Sequence, residues 1–272
     1  MKRLGMAMVG AALVAIATSG TAQAVSFLST GSGQVGTIDP STGVFTQVIS
    51  GPGFWDIALS ENGKLFGVSS DSQLYSIDQS SGVSLRIGNL GASLNALGFS
   101  FSNVLYGAGG SNLYTVDILT GAASLVASIP GFLSTGDIVF DPENNRFLAT
   151  SIGAGSDGLF SIDLTGAATK IGDIGFSGVI GLFFNDGVLF GYTRDGKQLT
   201  INPATGVGSF DKNVTGARGL LFGAASLPST GPKTSVPEPS SVLGLLAFGA
   251  FGVGSLLKRK QQQKALDSVA TD

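Results

Sequence analysis

The chain offers few groups that could do chemistry. Among its 272 residues there is no His and no Cys, which removes the commonest general base, the thiol nucleophile and the usual zinc ligands. A serine nucleophile backed by histidine is therefore excluded. What remains is carboxylate chemistry, of the kind a pair of acids performs in glycoside hydrolysis, and recognition by aromatic rings. Asp56 and Asp137 fall at one position of a repeated strand, in a column completed by Ala96, Gly181 and Gly219. Two aspartates among small neighbours are candidate ligands for Ca2+, which takes carboxylate and carbonyl oxygens. No dense Asp-x-Asp loop accompanies them, so the plainer reading is a pair of satisfied strand-end carboxylates. Beside the column lies Gly51-Pro-Gly-Phe-Trp55, with the only Trp of the chain. Aromatic rings on a rim loop suit a sugar ring, so Phe54, Trp55, Asp56 and Asp137 form the candidate ligand-binding set. The competing use of Phe54 and Trp55 is packing.

The elements that must position these residues follow from internal repetition. Val35-Gly-Thr-Ile-Asp39, Leu74-Tyr-Ser-Ile-Asp78, Leu113-Tyr-Thr-Val-Asp117, Leu159-Phe-Ser-Ile-Asp163 and Gln198-Leu-Thr-Ile-Asn202 place their last residues 39, 39, 46 and 39 positions apart. A Gly follows each within four residues, as a hairpin turn with positive φ requires. The five acids and amides need no active site to explain them, because an Asx side chain bonds its own backbone two residues on. Each unit also carries a second hairpin, such as Ile57–Ser60 through Asn62-Gly63 into Leu65–Val68. The fifth copy stops at Gly219–Phe222, and its missing partner stands at the other end as Val25–Thr30.

A four-stranded unit of about 40 residues, repeated and closed by pairing the first strand with the last, predicts an all-β five-bladed β-propeller. The Ile57-type strand is expected innermost, followed outward by the Leu65, Leu74 and Val83 types. Blade one is then a composite of residues 25 to 49 with the strand at 219 to 223. Small residues such as Ala58 and Gly98 suit the crowded axis, while Phe99, Phe140, Phe184 and Phe222 are expected between blades. A two-sheet sandwich gives no reason for a 39-residue period.

Composition narrows the partners. Residues 25 to 226 hold 8 Lys plus Arg against 15 Asp plus Glu, a net of −7, with no basic stripe to neutralise phosphates, so nucleic acid is not an expected partner. Without Cys the domain has no disulfides and relies on its core. The third unit is longer, around Asp141–Arg146 and Ser151–Asp157, and such surface loops are where binding is usually placed.

Both ends read as addresses. Lys2 and Arg3 open a short apolar stretch from Leu4 to Ala17, and Thr21-Ala-Gln-Ala24 supplies a small-residue cleavage site, so residues 1–24 read as a secretory signal peptide. At the other end Pro237-Glu238-Pro239 precedes an apolar run, 242–257, and then Lys258-Arg259-Lys260. That run is about 24 Å long as a helix, short of a ~30 Å hydrocarbon core, and the cations are expected on the cytoplasmic side. The string VPEPSSVLGLLAFGAFGVGSLLKRK resembles the PEP-CTERM sorting signal of Gram-negative bacteria and cyanobacteria. The resemblance implies an exosortase as processing partner, recognising Pro237, Glu238 and Pro239 with the basic stop behind them, and a tail held in the inner membrane before cleavage. Leu227-Pro-Ser-Thr-Gly231 matches a sortase signal, but it lies ten residues from the apolar run, within a Pro/Ser/Thr linker.

The organisation expected is therefore a signal peptide 1–24, a propeller 25–226, a linker 227–235, a sorting tail 236–260 and a polar cytoplasmic end 261–272. The function expected is that of an exported, non-enzymatic surface or extracellular-matrix protein, anchored in the inner membrane as a precursor. The first alternative is a carbohydrate-binding propeller, with exopolysaccharide as partner. The second is a lyase or hydrolase working with carboxylates and a bound cation.

Overall fold

The computed structural model describes residues 25–227. The signal peptide, the rest of the linker and the sorting tail with Pro237, Glu238, Pro239, Lys258, Arg259 and Lys260 lie outside the described residues. Twenty strands follow in chain order. First come β1 (Ser26–Thr30), β2 (Gln34–Asp39) and β3 (Val44–Ser50). The second group is β4 (Phe54–Leu59), β5 (Leu65–Ser69), β6 (Gln73–Ile77) and β7 (Ser84–Asn89), and the third β8 (Ala96–Phe99), β9 (Leu105–Gly109), β10 (Asn112–Val116) and β11 (Ala123–Ser128). The fourth is β12 (Ser134–Asp141), β13 (Arg146–Ser151), β14 (Gly158–Asp163) and β15 (Ala168–Asp173). The last comprises β16 (Val179–Asn185), β17 (Val188–Thr193), β18 (Lys197–Ile201), β19 (Gly208–Asn213) and the closing β20 (Leu221–Ser226).

These strands form five antiparallel four-stranded sheets, ordered β20-β1-β2-β3, β4 to β7, β8 to β11, β12 to β15 and β16 to β19. The innermost strands β20, β4, β8, β12 and β16 follow one another around the axis, each against the next, with β16 against β20. The protein is a five-bladed β-propeller, closed as its repeats predict: Ser26 pairs with Ser226, Phe27 with Ala225 and Leu28 with Ala224.

Local chemistry sets the turns. Asp39, Asp78, Asp117 and Asp163 each accept a hydrogen bond at 2.8 Å from the backbone N–H two residues on, and Asn202 does so at 2.9 Å. Gly43, Gly82, Gly121, Gly166 and Gly206 then take φ between 72° and 90°, a region L-residues with a Cβ avoid. All five repeat positions are thus Asx turns, as their spacing predicts.

Packing explains why the sheets stack as blades. An inner strand is covered on both faces, so β5 is buried throughout, whereas the outermost strands alternate and expose residues such as Leu85 and Phe210. Five apolar clusters fill the five junctions between blades. Between the third and fourth blades, Tyr106 and Phe140 both pack on Phe147, with ring centroids 5.0 and 5.2 Å away. Phe99, Phe140 and Phe184 lie buried at such junctions. A Cβ on Gly98 would meet the Ile138 carbonyl oxygen at 2.6 Å, which is the crowding expected near the axis.

The fifth repeat departs from expectation in register. Gly36 pairs with Leu28, and Leu28 with Ala224, which makes Ala224 the counterpart of Ile57, Leu97, Ile138 and Leu182. The closing strand therefore starts at Leu221 rather than 219, and the column of Asp56 and Asp137 ends at Gly223, not Gly219. Phe222 moves with it. It occupies the position of Trp55 and is half-buried instead of filling a junction between blades. The cause is a four-residue shift: Gly219-Leu-Leu-Phe222 imitates the small-then-apolar start of an inner strand, but Gly219 has φ 76° and belongs to the connection between β19 and β20.

Candidate functional site

Inner strands have no neighbour on their axial side, so some of their backbone N–H groups point into the ring, and buried donors must find partners. In one layer these donors belong to Ile57, Leu97, Ile138, Leu182 and Ala224. Two carboxylates answer them. Asp56 Oδ1 accepts from its own strand at Ile57 N, 2.8 Å, and Oδ2 accepts from Leu97 N of the next blade at 2.6 Å. Asp137 Oδ2 accepts from Leu182 N at 2.5 Å and from Ala224 N at 3.3 Å, and the Ile138 N–H also bonds its carboxylate. Asp56 and Asp137 are both fully buried.

Asp137 Oδ1 has no N–H donor, and the two side chains bond each other. Burial pushes both carboxyls well above their ordinary range, and for Asp56 the neighbouring Asp137 charge adds to the push. Two buried carboxyls bonded to each other do so through a proton that belongs to the pair. The axis is a closed hydrogen-bonded core: five N–H groups, two carboxyls and the proton between them.

This donor set does not fit Ca2+. The carboxylate oxygens face N–H groups, and a cation would displace those bonds while repelling the donors. Among the described residues no group of three or more acidic side chains converges either.

One layer above the pair, toward the face where β4 begins, the axis opens into a cup of about 270 Å3. Trp55, Ile180 and Phe222 wall it, Gly136 leaves the gap, and Asn95, Thr135 and Arg194 complete the lining. Below the pair the axis narrows to about 30 Å3, so the cup ends blind on the carboxyl layer. Arg194 sits on the turn after β17 with its Cζ 5.4 Å from the centroid of Phe222. Its backbone is held from two sides, by Arg194 N donating to Gly178 O at 2.8 Å and Leu221 N donating to Arg194 O at 3.0 Å. The same guanidinium borders a second, wider hollow of about 510 Å3, lined by Phe176, Lys197 and Gly155 of the long fourth-blade loop.

The expected ligand-binding residues are thus separated by the fold. Phe54 is fully buried, its ring edge-on to Tyr75 at 5.6 Å, and it packs between blades. Asp56 and Asp137 lie under the cup floor. Trp55 alone of the four lines the cup.

Residues 235–260 match the model of the PEP-CTERM protein-sorting motif. The chain carries a PEP-CTERM sorting signal. Such a signal implies an exported protein, held in the membrane before processing and sorted by an exosortase. A search of the curated proteins finds no match. Among solved structures the chain is similar to one in a crystal structure of a nidogen/laminin complex, at 10% identity over 75% of this chain and 82% of that one, with a TM-score of 0.56. It is also similar to a Bacteroides thetaiotaomicron protein of unknown function, at 13% identity over 76% and 65%, with a TM-score of 0.51. At these identities the likeness is one of fold.

Arg194, Phe176 and Lys197 line this face of the propeller without having stood out in sequence, and Phe222, expected between blades, joins them there. Phe222 could have been found by carrying the small-residue pattern of β4 onto Phe222-Gly-Ala-Ala225 instead of Gly219. Arg194 carries no pattern at all: it is one exposed cation on one turn, and only the neighbouring blade's Phe222 gives it a place.

Proposed function

We propose that the protein is a non-enzymatic, exported surface or matrix protein whose propeller binds saccharide in the axial cup around Trp55. The observation that carries this reading is the cup itself, a blind apolar recess walled by the only Trp and by Phe222, with polar groups of Asn95 and Arg194 at its edge. Amphipathic aromatic walls with a few polar groups match a sugar ring, whose faces are apolar and whose edges carry hydroxyls. The carboxyl pair supports binding over turnover: it lies beneath the floor, with its oxygens committed to backbone donors. Exopolysaccharide at the cell surface is the partner class this reading names.

A glycan array probed with the purified exported protein tests it. Trp55→Ala should weaken binding at least about tenfold, equivalent to ~1.4 kcal/mol, in a protein that still melts cooperatively, and Trp55→Phe should keep most of it. Glycan binding indifferent to Trp55→Ala would remove the cup from the account.

A further inference from the structure

We propose that the saccharide is acidic, its carboxylate held by Arg194 across the two hollows; this rests on the saccharide reading above. Among the described residues Arg194, like Lys64, Arg86 and Arg218, makes no ion pair, and of these four it is the one that lines the cup. Its guanidinium lies over the face of Phe222. Stacking on a ring fixes the plane of a guanidinium and leaves its N–H fork free, the arrangement that takes a carboxylate bidentately.

Position adds to chemistry. Arg194 is the residue shared by the linings of the axial cup and the neighbouring hollow, so one sugar ring can rest in the cup on Trp55 while the next lies toward Phe176. The ridge between them carries the cation. Asp195, the single carboxylate on either lining, is occupied by Thr193 and Lys197. The repeat acids Asp39, Asp78, Asp117 and Asp163 lie on turns at the opposite ends of the strands, and Asp71, Asp157 and Asp173, which share the cup's end of the blades, stand outside both linings. An exposed pair of this kind is screened over about 8 Å at physiological salt, which makes affinity fall with ionic strength.

Calorimetric titration of the purified exported protein with tetragalacturonate, and with the same oligomer after its carboxyls are reduced to alcohols, decides the matter. The wild type should bind the acidic form at least tenfold more tightly at low salt. Arg194→Gln should erase that preference, and Lys64→Gln, which changes net charge equally at the opposite end of the second blade, should keep it. Trp55→Ala should weaken both forms together. Equal affinity for the two oligomers, or a preference that survives Arg194→Gln or vanishes equally in Lys64→Gln, would overturn the acidic assignment and leave the saccharide reading standing. Binding of neither form would overturn both.

Discussion

Gly223 lies against Asp56 on the axis of the ring: a Cβ on Gly223 would fall 1.8 Å from Asp56 Oδ1 and 2.4 Å from its Cα. The closing strand thus makes room for the carboxyl that ties the second blade to the third. Neither atom can retreat, since Asp56 Oδ1 and Oδ2 are held by Ile57 N and Leu97 N. Overpacking of a well-filled interior costs about 1–3 kcal/mol and more when backbone must shift. Gly223→Ala is expected at or above the top of that range, lowering the melting temperature by roughly 10 °C in a domain of this size. A melt within a degree or two of wild type would mean that the closing strand is not seated on Asp56.

The axial pair sets a pH dependence of definite sign. Both carboxyls are raised in the fold, so the ring holds protons that the unfolded chain has already released above about pH 4. Their contribution is fully present below that value and declines as pH rises through the window up to the raised values. The turn acids act oppositely: hydrogen bonds, led by the Ser80 hydroxyl, lower Asp78 to about 2, and their contribution is lost as pH falls from about 4 toward that value. Urea midpoints should therefore decline from pH 5 to pH 8, and the decline should flatten in Asp56→Asn, where an amide N–H replaces the shared proton. A wild-type midpoint that rises over this interval would exclude the shared proton.

The Asx turns should tolerate exchange of acid for amide. Asn202 already fills the role with a 2.9 Å bond to Ala204 N, so Asp117→Asn should melt with the wild type at neutral pH, and Asp117→Ala should melt lower. Loss of ligand binding in Asp117→Asn at unchanged stability would instead give that carboxylate a role beyond the turn.

Closure depends on the first strand. Removing residues 26–30 strips β20 of its partner and exposes an inner edge that invites association with other chains. The deletion protein is expected to aggregate or to lose its cooperative melt, as read by calorimetry and light scattering. A soluble, cooperatively melting product would show that the ring stands without its joint.

Processing should depend on the sorting motif. Glu238→Ala is expected to leave the uncleaved form in the inner-membrane fraction, detected by immunoblot. If Glu238→Ala is processed normally while Thr230→Ala is not, the Leu-Pro-Ser-Thr-Gly segment is the operative signal.

Most of the fold was legible because a propeller is written as a period. Five Asx positions and five glycines mark the same turn, and the unpaired first strand announces the joint. The register of the last strand was not legible: Gly219-Leu-Leu-Phe and Phe222-Gly-Ala-Ala both begin small-and-apolar runs, and only pairing with Leu28 chooses between them. The site was harder still. Asp56 and Asp137 stand out in sequence as exceptions to their column, but what surrounds them is backbone N–H, which every residue except proline carries and no side-chain pattern reveals. Arg194 acquires its place from Phe222, a residue 28 positions away whose own position depended on the register.

One of the five strands around the axis, β20, is also the last of the described strands to be made. Ala224 bonds to Asp137, and Gly223 lies on Asp56, so a ribosome or export channel still holding residues 221–226 withholds the hub of the wheel. The other sixteen strands of the four unbroken blades can form beforehand, but they remain an open arc. Completion of the domain is thereby tied to arrival of the segment just before the linker that leads to the sorting signal, and a chain cut short before Leu221 is a chain whose ring has never shut.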